Sequence, residues 1–197
     1  MIIGFDIDDT ITDTFGVMFG YGQKFTIEEL GRTGELVKTS GFTNHSYCQE
    51  MHAWTDEESE RFFEIYYREI IEKTEPFMFA IETIRKLKEE GHRIVLITAR
   101  WDFADVSVRE LTEKWLEEQQ IPYDKLVVNA ITKKQAAIEN KLDIFVDDSF
   151  KNCQDVVDAG IKTYIMDTRY NKGLVDERIK RVYSWPHLEQ ELRKEIK

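Results

Sequence analysis

The sequence predicts an α/β protein: a Rossmann-like parallel sheet of about five strands, flanked by helices, with a small helical cap inserted after the first strand. Two observations indicate this fold class. Short apolar runs alternate with helical patterns over residues 77–165, and several of the apolar runs end in polar or charged residues. Strands that alternate with helices form right-handed crossovers and a parallel sheet. Ligands bind such sheets at the carboxyl ends of the strands.

The first element is a predicted strand at residues 1–5, an apolar run that ends at Asp6. Asp6 and Asp8 are therefore expected at the carboxyl edge of the sheet. Two carboxylates so close together repel each other and lose solvation, so they need a cation or a proton between them. The neighbouring Asp9 is interpreted as a cap of the following turn or helix. This strand end predicts a charged site.

The predicted helical cap follows the first strand. Its first part, up to residue 56, contains many glycines and aromatic residues without a clean period. Residues 57–73 have a helical period with aromatic and aliphatic side chains on one face, and Pro76 marks the break after them. This segment of about sixty residues separates the first acidic strand end from the helix predicted at residue 77. The predicted boundaries are 15–76 for the cap, and 1–14 with 77–197 for the catalytic core.

Beyond the cap, strands and helices are predicted in regular alternation. The predicted strands are residues 93–97, 125–128, 143–146 and 161–165. The predicted helices are residues 77–91, residues 106–118, one opened by Lys133, one through Val156 that ends at Gly160, and an amphipathic closing helix in the tail after Leu174.

Three more strand ends carry polar groups that suit one common site. Thr98, Ala99 and Arg100 follow the second strand, Lys133 or Lys134 opens the helix after the third, and Asp147 and Asp148 end the fourth. The spacing to the late acids favours Lys133 over Lys134. Arg100 is interpreted as a substrate phosphate contact, a partner of a site acid or part of a structural salt bridge.

These motifs, in this chain order, resemble the haloacid dehalogenase superfamily of aspartate-nucleophile phosphotransferases. The resemblance spans residues 6–149. The superfamily inserts a helical cap after its first motif, so the resemblance implies that residues 15–76 close over the site, exclude water and read the leaving group. It implies that Asp6 attacks phosphorus and that Asp8 protonates the leaving alcohol and then activates water. It also implies that Thr98, Ala99 and Lys133 hold the phosphoryl oxygens.

Mg²⁺ is the implied cofactor, held by Asp6, Asp8, Asp147 and Asp148. This ion prefers octahedral oxygen ligation from one or two carboxylates, waters and a substrate phosphate. In the superfamily the backbone carbonyl at the position of Asp8 is also a ligand. The resemblance favours Asp148 as a direct ligand and Asp147 as a residue that acts through a bound water, and the reverse order stays open.

Asp8 indicates a phosphatase, because transport ATPases of the superfamily carry threonine there and the dehalogenases lack this second acid. The layout, and the phrase at residues 112–116 leading into 121–124, resemble the 5′-nucleotidase and 5′(3′)-deoxyribonucleotidase-like branch. That branch implies nucleoside monophosphates as substrates. Phe19 and Tyr21 are the candidate base contacts, because bases stack on aromatic rings and these two lie near the first motif. The alternatives are a phosphatase of another small ester, such as a sugar phosphate, and a protein that binds phosphate ligands without turnover.

The bulk composition narrows the range of partners. A formal charge of −11 argues against binding to nucleic acid, whose phosphates demand a basic surface. No apolar run reaches membrane-spanning length, and two cysteines are too few for a disulfide framework. We therefore expect a cytoplasmic enzyme for a small phosphate ester, with no nucleic acid and no membrane partner; a homodimer is compatible with the sequence. His45 and His52 are interpreted as packing or surface residues.

Overall fold

The computed structural model describes residues 1–42, 47–103 and 106–196, and its centre is a single parallel sheet. The strands are β1 (Ile2–Phe5), β2 (Arg93–Ile97), β3 (Lys125–Val127), β4 (Ile144–Asp147), β5 (Lys162–Met166) and β6 (Ile179–Val182). The helices are α1 (Thr14–Lys24), α2 (Tyr47–His52), α3 (Asp56–Lys73), α4 (Ala80–Glu89), α5 (Val108–Glu118), α6 (Lys133–Glu139), α7 (Phe150–Val157) and α8 (Trp185–Glu195). The strand order is β3-β2-β1-β4-β5-β6, which confirms the predicted α/β class.

Helices cover the sheet on both faces. Side chains of α4, α5 and α8 join one hydrophobic cluster with residues such as Leu96 of β2. Side chains of α6 and α7 join a second cluster with residues such as Val95, the neighbour of Leu96 that points to the opposite face. Because both faces are buried, the central strands β1, β2 and β4 are largely continuous apolar runs rather than alternating ones.

The order of the strands reverses between β1 and β4. The chain adds β2 and β3 on one side of β1, and then β4, β5 and β6 on the other side. Phe5 is in register with Val146, and the amide of Asp6 donates to the Val146 carbonyl at 2.9 Å. The acids that follow these two strands therefore lie side by side, at the position where doubly wound sheets bind ligands.

The sheet has one strand more than the five that the sequence predicts. Strand β6 lies at the edge and pairs with β5 alone, and its two middle residues, Lys180 and Arg181, are charged. A short edge strand with charged residues lacks the apolar run that marks a central strand. The closing helix is confirmed as α8, which begins at Trp185 after the N-cap residue Ser184.

Two predicted helices begin later than the pattern suggested. Helix α4 begins at Ala80 rather than at residue 77, because Phe79 has a φ of +70° that interrupts the helical backbone. Phe77 still packs against the core from outside the helix. Helix α5 begins at Val108, where Ser107 accepts a hydrogen bond from the amide of Glu110.

The helical insertion, defined here as α1, α2, α3 and the π-helical turn Phe25–Glu29, has a hydrophobic cluster of its own. Phe25, Trp54 and Phe62 are among the buried rings of this cluster, which is separate from the clusters under the sheet. Helix α3 confirms the helix predicted over residues 57–73. His52 packs on Trp54 with 5.3 Å between ring centroids, whereas His45 lies outside the described residues. Within the described ranges, no helix has the length and apolar character that crossing a bilayer requires.

Candidate active site at the carboxyl edge of the sheet

Three buried carboxylates converge where β1 and β4 end. Asp6 follows β1, Asp147 is the last residue of β4, and Asp148 comes next. Each of these residues offers a carboxylate oxygen within 4.8 Å of the others. Residues separated by more than a hundred positions in the chain thus share one small volume, as the order of the strands dictates.

Lys133 is the cation closest to this group. It is the first residue of α6, it is buried, and its ammonium donates to Asp6 Oδ1 and to the carbonyl of Ile97. Burial disfavours the charged form, but Asp6 and Asp147 outweigh it and hold the pKa of Lys133 above its ordinary value. Of the two candidate lysines, Lys133 is the one that contacts Asp6.

The three acids remain short of positive charge. Burial raises the pKa of Asp6 even against the opposing effect of Lys133. Burial and the nearby Asp6 raise the pKa of Asp147 well above its usual range, and raise that of Asp148 to about 7. When all three acids are ionised, the one ammonium leaves two negative charges without compensation, which is why their pKa values are raised. All the donors are hard oxygens, so the group fits a divalent cation such as Mg²⁺.

Asp8 lies in different surroundings from those of Asp6. The Arg100 guanidinium binds it in a bidentate manner, with Nη2 to Oδ1 at 2.8 Å and Nε to Oδ2 at 2.9 Å. The hydroxyl of Thr14 donates to Oδ1 at 2.8 Å and that of Thr98 to Oδ2 at 3.3 Å. Burial alone would raise the pKa of Asp8, but Arg100 outweighs it and holds this pKa below its ordinary value.

Arg100 is a buried side chain of the loop after β2. It is 4% exposed, and its guanidinium carbon lies 5.4 Å from the centre of the Trp115 ring. Its amide donates to Thr98 Oγ1 at 3.1 Å, which tightens the loop around Ala99. Of the interpretations left open by the sequence, the structure places Arg100 in an ion pair with a site acid.

The aromatic candidates lie in the helical insertion. Phe19 stacks on Phe15, with 6.5 Å between ring centroids and 7° between ring planes. Tyr21 packs on Tyr66 of α3 at 5.0 Å between centroids. The ring contacts described for Phe19 and Tyr21 are with other aromatic residues of the insertion, and Tyr21 also forms a hydrogen bond with Glu69 of α3. None of these partners is an acid of the site.

Two residues that sequence reasoning missed contact the carboxylate of Asp148. Thr10 Oγ1 donates to Asp148 Oδ1 at 3.0 Å, and the Tyr170 hydroxyl lies 2.5 Å from Asp148 Oδ2. The same hydroxyl lies 2.9 Å from Asp9 Oδ2. Thr10 belongs to the first motif, but Tyr170 follows β5 in a segment without hydrophobic period, so no sequence signal pointed to it.

Asp9 is tied to α1 as well as to Tyr170. Its Oδ1 accepts from the amide of Phe15 at 2.6 Å, in the first turn of the helix, although the N-cap residue is Asp13. Burial, followed by the charge of Asp148, raises the pKa of Asp9 well above its usual range. Asp9 also has a left-handed backbone, with φ of +56°. The predicted capping contact is present, and it is combined with a contact to the site.

The chain matches the family model for 5′ nucleotidase, deoxy (Pyrimidine), cytosolic type C protein over residues 1–195. A candidate nucleotidase of Bacillus cereus is 30% identical over 207 residues, which cover 100% of this chain and 100% of that protein. A nucleotidase of Clostridium acetobutylicum is 27% identical, with 91% of this chain and 87% of that protein covered.

Solved structures share the fold. The crystal structure of a candidate phosphatase from Clostridium difficile has a TM-score of 0.72 at 15% identity and covers 97% of each chain. A haloacid dehalogenase-like family hydrolase from Streptococcus pneumoniae has a TM-score of 0.67 at 13% identity, with 100% of this chain and 98% of that chain covered. Together with the family match, these findings confirm the resemblance that the strand-end motifs indicated.

Proposed function

This chain belongs to the 5′-nucleotidase, deoxy (pyrimidine), cytosolic type C family and is a phosphomonoester hydrolase, and we propose that it is a Mg²⁺-dependent 5′-nucleotidase. Its proposed substrates are ribo- and deoxyribonucleoside monophosphates, and its proposed intermediate is phosphorylated Asp6. One observation carries this proposal: Asp6, Asp147 and Asp148 converge beside the ammonium of Lys133.

Asp6 and Asp148 would hold the cation through carboxylate oxygens, together with the backbone carbonyl of Asp8, and Asp147 would support it through a water. When bound, Mg²⁺ supplies the positive charge that screens an anionic nucleophile from an anionic phosphate. Following the superfamily resemblance, we assign Asp148 as a direct ligand and Asp147 as a residue that acts through a bound water.

In the first half-reaction, an Asp6 carboxylate oxygen attacks phosphorus, and the bond from phosphorus to the ester oxygen breaks. Asp8 gives its proton to that oxygen, which leaves as the alcohol. In the second half-reaction, Asp8 takes a proton from water as the water oxygen attacks phosphorus and Asp6 leaves as a carboxylate. Lys133, Thr98 and Ala99 hold the phosphoryl oxygens by charge and hydrogen bonds.

The ion pair with Arg100 bears on the two tasks of Asp8. In this pair Asp8 is ionised, which is the form that accepts a proton from water in the second half-reaction. To act as an acid in the first, Asp8 must take up a proton against the charge of Arg100. The pair therefore favours the step that regenerates the enzyme.

We assign residues 15–76 to a helical cap over this site, which excludes water and reads the leaving group. Phe19 and Tyr21 remain the proposed base contacts. Both rings lie in the insertion that we assign to the cap, and aromatic neighbours hold them in place. We also propose that the protein works in the cytoplasm. Cys48 and Cys153 are both buried and free of disulfides, which is typical of a reducing compartment.

Release of inorganic phosphate from a substrate panel tests the proposed function. The panel contains the ribo- and deoxyribonucleoside 5′- and 3′-monophosphates, several sugar phosphates and p-nitrophenyl phosphate, each with and without Mg²⁺. We expect kcat/KM to be highest for a 5′-monophosphate and to change with the base. A preference for sugar phosphates without any effect of the base would replace the nucleotidase with the alternative phosphatase, and no turnover of any ester would contradict both.

A further inference from the structure

The loop between β5 and β6 is fixed against the backbone of Asp148. The amide of buried Asn171 donates at 2.7 Å to the carbonyl of Asp148 and at 2.7 Å to that of Met166. Its oxygen accepts from the amide of Thr168 at 3.1 Å and from Arg181 of β6 at 2.6 Å. This side chain therefore ties the loop to two strand ends at once, and the residue before it, Tyr170, has little freedom to move away.

The hydroxyl of Tyr170 contacts the carboxylates of Asp148 and Asp9. It lies 2.5 Å from Asp148 Oδ2 and 2.9 Å from Asp9 Oδ2, while Thr10 donates to the other oxygen of Asp148 at 3.0 Å. When the single proton of the Tyr170 hydroxyl is directed to Asp148, the shorter of its two contacts, each oxygen of Asp148 has one neutral donor from the protein. An ionised carboxylate has about four lone-pair positions, so further positions stay open to a cation.

The ring of Tyr170 is held by the helical insertion. It stacks on Tyr47 with 5.9 Å between centroids and 14° between planes, and it contacts Phe15 at 6.1 Å. These two partners belong to α2 and α1. The insertion thus fixes the ring from one side and the loop fixes the backbone from the other, which leaves the hydroxyl at a defined position.

We propose that Tyr170 is a positioning residue that orients the Asp148 carboxylate for metal binding. The inference rests on the metal site of the proposed function, but not on the identity of the phosphate ester. Groups that hydrogen-bond to a ligating carboxylate restrict its orientation, and loss of such a group typically weakens metal binding by about 10- to 100-fold. Tyr170 meets this description because its hydroxyl contacts Asp148, its ring is packed against the insertion, and its backbone is held by the neighbouring Asn171.

Isothermal titration of the metal-free protein with Mg²⁺, and separately with Mn²⁺, tests this inference without substrate. Tyr170→Phe removes the hydroxyl and keeps the stacked ring, and we expect its dissociation constant to rise by about tenfold or more. Tyr47→Phe is the matched control, because its hydroxyl contacts Met18 Sδ at 3.3 Å rather than a carboxylate. We expect metal affinity in this control to equal that of the unmodified chain.

A second readout separates positioning from a general structural role. The kcat of Tyr170→Phe should return towards the unmodified value as the Mg²⁺ concentration rises, because added metal compensates for weaker binding but does not repair a misfolded site. An unchanged dissociation constant in Tyr170→Phe, or equal losses in Tyr170→Phe and Tyr47→Phe, would overturn the inference. Metal binding by the unmodified chain without any nucleotide turnover would contradict the proposed function alone.

A crystal structure of the unmodified chain with Mg²⁺ covers the case in which Tyr170→Phe does not fold. We expect the Tyr170 hydroxyl to remain within hydrogen-bond distance of the Asp148 carboxylate while that carboxylate faces the ion. A Tyr170 side chain turned away from Asp148 in that structure would overturn the inference.

Discussion

Asp6 and Asp8 both follow β1, yet their neighbours carry opposite charges. Around Asp6 it gathers two more carboxylates and one ammonium. Around Asp8 it gathers a guanidinium and two hydroxyls. Burial raises the pKa of Asp6 against the effect of Lys133, whereas for Asp8 the charge of Arg100 outweighs burial and lowers the pKa.

The difference shows that neighbours, rather than residue type, decide what each carboxylate can do. The Asp6 side lacks positive charge and therefore suits a metal ion. The Asp8 side is already neutralised and therefore suits proton transfer. A substitution among the partners of Asp6 should therefore impair metal binding or nucleophilic attack, and one among the partners of Asp8 should impair proton transfer alone.

Asp6→Asn should have the largest effect on the metal side, because an amide cannot attack phosphorus as a carboxylate does. We expect kcat for p-nitrophenyl phosphate in Mg²⁺ to fall on the order of 10⁴-fold or more, as when other catalytic nucleophiles are removed. Asp155→Asn is the control, since Asp155 forms a surface ion pair with Lys151 on α7. Activity in Asp6→Asn at the unmodified rate, with a native melting temperature, would mean that the nucleophile is misassigned.

Removal of the metal should abolish activity, because it acts on the same side of the site as Asp6. Without the cation, nothing screens the ionised form of Asp6 from the phosphate, and burial favours its protonated form, which is a poor nucleophile. We expect excess chelator to reduce phosphate release to background and added Mg²⁺ to restore it. Full activity in excess chelator would contradict the metal role of Asp6, Asp147 and Asp148.

Arg100→Gln should disable the Asp8 side alone. Loss of the bidentate partner frees the Asp8 carboxylate from its fixed orientation, so we expect kcat to fall by about 10²-fold, the lower range for a general acid–base group. Mg²⁺ affinity, measured by titration calorimetry, should not change. Arg109→Gln, which breaks a surface ion pair with Glu113, serves as the control. A parallel loss of metal affinity in Arg100→Gln would show that the two sides are not separate.

The stability of the metal-free protein should depend on pH in the direction that the acid group dictates. Burial and the charge of Asp6 raise the pKa of Asp148 to about 7, so between its ordinary pKa and pH 7 the folded state binds more protons than the unfolded state. Stability therefore falls as the pH rises through this window. We expect the melting temperature to drop between pH 5.5 and pH 8 by several degrees, at about 2–4 °C for each kcal/mol.

Mg²⁺ should remove most of this pH dependence, because the cation compensates the acids at pH 8. Asp148→Asn should flatten the metal-free profile, since the amide does not titrate. A metal-free melting temperature that rises steadily from pH 5.5 to pH 8 would contradict the charge balance described for the Asp6 side.

The fold was largely predictable because its central strands are buried on both faces. Strands β1, β2 and β4 appear in the sequence as largely apolar runs, and α3 and α5 as amphipathic stripes. The sixth strand was not predictable in this way, because the sheet edge leaves Lys180 and Arg181 of β6 in contact with polar neighbours or solvent. The early residues of the insertion carried no clean period: α1 contains Gly16, Gly20 and Gly22 and packs on α3 and α2 within the insertion, and α2 has only 6 residues.

The sequence by itself determined which chemical groups end the strands and in what order they occur. In a parallel sheet all these ends lie on one edge, so chain order was enough to expect Asp6, Lys133, Asp147 and Asp148 in one site. Only the tertiary structure decided the partner of each acid. Arg100 reaches Asp8 across 92 positions and Tyr170 reaches Asp148 from a loop without periodicity. Such contacts depend on how loops pack against the folded sheet, and no local pattern in the chain specifies which distant residues they bring together.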